Sequence, residues 1–187
     1  MYTLTNQYLS VLSSSFTGQI SSGMSNPRID LLLIKSLHEV QKSDIMKLAA
    51  DNVSGGGEYI LKHMDILPLD CTALFQFLRH VKNLLELNNG GNCIGENGAL
   101  EVAGFLKEGK RTGLNLSTCW INKEGAEHLS DALKNENCKL TSLNLSVNEI
   151  SNKSAEHLSD ALKNENCKLK RLCLWNNKIS NEGVGHL

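Results

Sequence analysis

The stretch AEHLSDALKNENCKL occurs twice, at residues 126–140 and at 155–169, without one substitution in its fifteen positions. A repeat of fixed period decides the architecture before any single motif can be read. Extended both ways, the duplication aligns LTSLNLSVNEIS (140–151) with LKRLCLWNNKIS (169–180) and, upstream, with RTGLNLSTCWIN (111–122), at a period of 29 residues. The shared skeleton is Leu-x-Leu-x-x-Asn-x-Ile: Leu143, Leu145, Asn148 and Ile150, then Leu172, Leu174, Asn177 and Ile179. Leu114, Leu116 and Ile121 fit it too, with Cys119 in the Asn slot. An older copy reads as Leu85, Leu87, Asn92 and Ile94, stretched by two residues in NNGGN and shortened by two before Leu114.

Two periodicities alternate within each unit. Leu143 and Leu145 alternate with Ser142, Asn144 and Ser146, as in a short strand with one buried face. Ala126, Leu129 and Leu133, like Ala155, Leu158 and Leu162, recur at three- and four-residue spacing on a polar segment, as in an amphipathic helix. Neither element buries its apolar side alone, so the units are expected to stack. The expected fold class is α/β: a solenoid with a concave parallel sheet and convex helices. Asn148 and Asn177 fall where the chain leaves the strand, where a buried amide can both donate to and accept from the turn backbone.

The pattern LxLxxNxI, followed by a helix and then NxxCxL, resembles the ribonuclease-inhibitor subtype of leucine-rich repeats over roughly residues 84–187. Upstream, LLLIKSLHEVQKSDIMKLA (31–49) and ILPLDCTALFQFLRHVKNLLELN (66–88) look like the helical region that leads into the repeats of NOD-like receptors. That resemblance implies an innate-immune role in ligand sensing or autoinhibition, with a nucleotide-binding NACHT domain upstream in a full-length chain. The expected organisation is an irregular leader at 1–27, a helical region at 28–82 that caps the solenoid, and about 3.5 repeats at 83–187. Pro68 suits the first turn of the capping helix, with Ala73, Leu74, Leu78 and Val81 on its buried side. Residues 1–27 are too short for a NACHT domain, and EGVGHL stops one turn into a helix, so the chain reads as a fragment.

Nineteen Lys and Arg against twenty Asp and Glu give a net charge of -1, so no global basic field draws in nucleic acid or an anionic membrane. The start MYTLTNQYLSVLSSSFTGQ lacks a signal peptide's cationic and apolar regions. The equivalence of Cys138 and Cys167 in stacked units favours free buried thiols over a disulfide framework, hence a cytoplasmic setting. The sequons at Asn52, Asn115, Asn144 and Asn152 are then coincidental.

Catalytic and cofactor motifs are weak. Gly104, Gly109 and Lys110 mimic a phosphate-binding loop, but Phe105 and Leu106 belong to a helix and Arg111 stands where Ser or Thr should hold magnesium. His128, His157 and His186 recur once per unit, yet neighbouring helices lie ~8–10 Å apart, whereas a zinc ligand must approach to about 2.1 Å. Glu127, Asp131, Glu156 and Asp160 read as a solvated helix face. No catalytic, cofactor or metal site is expected, and the chain is read as a non-enzyme. The positions that differ between units are more informative. Glu86, Asn88, Asn115, Ser117, Asn144, Ser146, Arg171, Cys173 and Trp175 would line the concave strand face, with Trp120 close by. Trp and Arg are the residues most often found as binding hot spots. A protein partner on this face is therefore expected, the alternative being a regulator of an enzyme, like a ribonuclease inhibitor or a Ran GTPase-activating protein.

Overall fold

The computed structural model describes residues 34–36, 38, 39, 41, 43–51 and 57–187. The expected leader at 1–27 and the sequon at Asn52 lie outside the described residues. The described elements run α1 (Ser43–Asp51), β1 (Glu58–Ile60), α2 (Pro68–His80), β2 (Glu86–Asn88), α3 (Gly95–Leu106), β3 (Gly113–Asn115), α4 (Lys123–Leu133), β4 (Ser142–Asn144), α5 (Asn152–Leu162), β5 (Arg171–Cys173) and α6 (Asn181–Val184). The five strands form one open parallel sheet in chain order. Parallel neighbours require a crossover, and here each is made by a helix that packs on the helices of the adjacent units. This α/β architecture is consistent with stacked leucine-rich repeats.

Register revises two sequence readings. Leu87 pairs with Leu114, so Leu87 fills the first Leu slot of its unit, Asn89 the second, Asn92 the Asn slot and Ile94 the Ile slot. The expected insertion in NNGGN disappears, and Leu85 lies outside the skeleton, 47% exposed. Tyr59 pairs with Leu87 in turn. A fifth copy therefore exists as Tyr59, Leu61, Met64 and Ile66, inside the segment 28–82 that was read as a helical region. Its spacing matches the skeleton, but Tyr in a Leu slot and Met in the Asn slot hide it. The helix over Pro68–His80 is thus the crossover of the first strand–helix unit. Its buried side holds Ala73, Leu74, Phe75, Phe77 and Leu78.

In front of that unit α1 packs against α2, burying Met46 and Ala50, with Ile34 in the same core. Lys35 reaches Asp70 at 2.6 Å, and the other oxygen of Asp70 accepts the N–H of Leu67 at the start of α2. One carboxylate thus caps the helix and ties the preceding segment to it.

Each turn after a strand passes through left-handed backbone at the same place: His63 (φ 58°), Gly91 (74°), Thr118 (55°), Val147 (56°) and Asn176 (55°). Only Gly adopts this freely, and β-branched Thr118 and Val147 are held there against their preference. The Asn slot holds the turn. Asn148 accepts from Cys119 N and Ile121 N and donates to Leu116 O and Leu145 O, at 2.8–3.0 Å. Asn92 makes the same set with Met64 N, Ile66 N, Leu61 O and Asn89 O. Each amide joins its own unit to the one before.

Candidate recognition surface

Strand side chains alternate between the helix side and the open side. Leu87, Leu114 and Leu143 are buried against the helices, and the residues flanking them point away. Pairing sets these in rows across the sheet. One row runs Glu58, Glu86, Gly113, Ser142, Arg171, and the next runs Ile60, Asn88, Asn115, Asn144, Cys173. Backbone bonds from Gly91 to Ser117, Thr118 to Ser146 and Val147 to Trp175 place Gly90, Ser117, Ser146 and Trp175 in a third.

Nine of the ten expected residues therefore share one face: Glu86, Asn88, Asn115, Ser117, Asn144, Ser146, Arg171, Cys173 and Trp175. Glu86 and Arg171 are exposed, Asn88, Asn115, Ser117, Asn144 and Cys173 are half-buried, and Trp175 is 63% exposed. Ser146 departs from expectation: it is 1% exposed, and its hydroxyl donates to Asn144 Oδ1 at 2.6 Å. Its small side chain is spent on the turn and presents nothing to a partner.

The amides in the second row are locked in a common pose. Asn88, Asn115 and Asn144 each accept, on Oδ1, the N–H two residues on, at 3.3, 2.9 and 3.0 Å. This Asx turn holds the side chain in one pose through its Oδ1. Charge is graded along the first row, from Glu58 and Glu86 at one end to Arg171 at the other. Gly113 allows the Glu86 chain to lie over it, since a Cβ at Gly113 would stand 2.9 Å from Glu86 Cγ.

Trp120 lies off these rows. It follows β3 on the turn, 62% exposed and at φ 59°. There it lines an open groove of about 380 Å³ with Thr118, Val147, Asn148, Glu149, Asn176, Asn177 and Lys178. Lys178 meets Glu149 across this groove at 3.3 Å. The sequence reading missed Glu58 and Ile60 with β1 itself; the Tyr-x-Leu-x-x-Met-x-Ile spacing was the available signal. It also missed the groove, whose walls come from equivalent turns of three units.

The phosphate-loop mimic is a helix end. Phe105 and Leu106 are 1% exposed within α3, and Gly109 follows it at φ 76°. Arg111 is 3% exposed and donates to Leu84 O (2.9 Å) and Leu78 O (3.1 Å), with its guanidinium 4.2 Å from the centre of the Phe105 ring. It occupies the place of Leu84 and Leu140 in the sister units. All six cysteines are free, with Cys71, Cys119 and Cys138 buried and Cys93 exposed. Burial pushes the Cys71 thiol up to about 12 and that of Cys119 to about 11. Such thiols are poor nucleophiles near neutral pH.

Residues 136–159, covering β4 and the first turns of α5, match the family described as Leucine Rich repeat. No curated protein matches the chain. Among the described residues, no helix is long and apolar enough to cross a membrane.

Proposed function

We propose that this chain is a non-enzymatic protein-recognition module that works through the open face of its sheet. The observation that carries the reading is the contrast across the sheet. The helix side is closed mainly by Leu and Ile in recurring slots, while the open side presents a row of amides between Glu86 at one end and Arg171 with exposed Trp175 at the other. A Leucine Rich repeat within the chain supports protein binding as its use. Within that reading, the repeats are of the ribonuclease-inhibitor type and the concave face contacts the partner.

The finer proposal is the repeat region of a NOD-like, cytoplasmic innate-immune receptor, with a NACHT domain upstream and a ligand or an autoinhibitory segment on the open face. Its support is the order of the helical segment at 43–51 and the Leu-Pro-Leu-Asp-Cys-Thr-Ala-Leu element at 67–74. A second reading, a regulator of an enzyme, is favoured by one observation. The helix over Pro68–His80 sits inside the first strand–helix unit, so it also fits a chain made of repeats from residue 58 onward.

Partners trapped from cells by the chain provide the test. Trp175→Ala combined with Arg171→Glu, in a protein with unchanged ellipticity, should release a partner that a helix-face variant such as Asp131→Lys retains. Equal retention by both would refute the open face as the contact. Inhibited ribonuclease or stimulated GTP hydrolysis would favour the regulator.

A further inference from the structure

One position recurs once per unit on the turn after each strand, directly following the Asn slot: Asp65, Cys93, Trp120, Glu149 and Lys178. All five are exposed. The next residue is Ile in every unit, at 66, 94, 121, 150 and 179, whereas this position differs in all five and is not spent on the fold. Glu149 donates its backbone N–H to Ile121 O and Lys178 donates its own to Ile150 O, both at 2.9 Å. These bonds set Trp120, Glu149 and Lys178 side by side in successive units, about 5 Å from one to the next. Trp120 follows β3, which has a strand paired on either side, so its exposure of 62% persists between stacked neighbours.

We infer that the groove beside Trp120 takes the guanidinium of an arginine side chain presented by the protein partner, stacked on the indole and paired with the Glu149 carboxylate. This deepens the recognition reading above and rests on it. The occupant follows from charge. An indole face carries a negative quadrupole that attracts a cation, and the carboxylate one unit on attracts the same charge. A carboxylate from the partner would be repelled by both. The floor adds half-buried Val147 and the amides of Asn148, Asn176 and Asn177, too little apolar wall for an aliphatic side chain. Of the two basic side chains, Arg has the flat, weakly hydrated head that can stack and pair at once, while the Lys ammonium is a compact and strongly hydrated charge. Lys178 already holds part of this site: its Nζ lies 3.3 Å from Glu149 Oε1, with 66% and 44% of the two side chains exposed. Ion pairs this exposed are weak, so a guanidinium that adds stacking to pairing displaces the ammonium.

The indole N–H resonance of Trp120 in the native chain, assigned by its loss in Trp120→Phe, reads the occupancy of the groove, with that of Trp175 as internal control. Acetyl-Gly-Arg-Gly-amide should shift the Trp120 signal saturably and bind severalfold more tightly than acetyl-Gly-Lys-Gly-amide; acetyl-Gly-Glu-Gly-amide should leave it in place. Glu149→Gln should weaken the arginine peptide about fivefold, and Lys178→Met, which frees the carboxylate, should tighten it. Both side chains are exposed, so both variants should keep the native ellipticity. Absence of a saturable shift with the arginine peptide, unchanged affinity in Glu149→Gln, or a shift confined to Trp175 would overturn the inference. Free arginine binding more tightly than the blocked peptide would overturn a partner's side chain as the occupant. Partner release by Trp175→Ala with Arg171→Glu reads the open face and not this groove, so the failure of either reading is told apart from that of the other.

Discussion

Cys119 and Asn148 hold the same slot in successive units, and the backbone N–H of Cys119 donates to the side-chain oxygen of Asn148 at 3.0 Å. The slot therefore works across the junction between units. Asn148 meets five backbone groups there, two as acceptor and three as donor. The Cys119 side chain offers its own junction the thiol, which donates to Asn89 O at 3.2 Å and Ser117 O at 3.5 Å.

Truncation should show that difference. Asn148→Ala leaves buried backbone groups unpaired and should cost about 3 kcal/mol in urea denaturation. Cys119→Ala removes a weak donor and a small apolar volume, and should cost about 1 kcal/mol. Equal losses would mean that the amide adds nothing beyond filling space.

Arg111 makes a second prediction. It is a buried cation held by the carbonyls of Leu78 and Leu84 and by the Phe105 ring. Arg111→Ala strands both carbonyls and opens a cavity, for an expected loss of about 3 kcal/mol. Arg111→Leu installs the residue found in the sister units and should lose less than half of that. A larger loss for Leu than for Ala would contradict the packing account.

The thiols give a pH dependence. Burial raises Cys71 and Cys119 from the ordinary value of 9.0 to about 12 and about 11. The folded state therefore holds protons that the unfolded chain releases, and stability falls as pH rises above about 9. The urea midpoint should drop between pH 8 and pH 10.5, and Cys71→Ala with Cys119→Ala should flatten that drop. At pH 8, alkylation of the native protein should modify Cys93 first and leave Cys71 and Cys119 intact.

Much of this was legible because the repeat is its own alignment. Leu143, Leu145, Asn148 and Ile150 could be placed without coordinates, since each slot was filled by the same residue one period later. The first two units were harder for the same reason. Tyr59 and Met64 satisfy the spacing but not the identities, and Asn89 puts an amide where Leu belongs, so only backbone register assigns them. The rows of the open face followed from strand alternation. The burial of Ser146 did not, because it depends on an Asx turn that binds the hydroxyl as well as the backbone. The groove beside Trp120 depends on the left-handed turns of Thr118, Val147 and Asn176, and two of these residue types give no warning of that geometry.

The central claim is that partners bind the open face of the sheet. Photo-crosslinking from single benzophenone side chains compares that face, at position 175, with the helix face, at position 127, in otherwise native protein in cells. Discrete protein adducts from position 175 alone are the predicted result; adducts from position 127 with none from position 175 would contradict it.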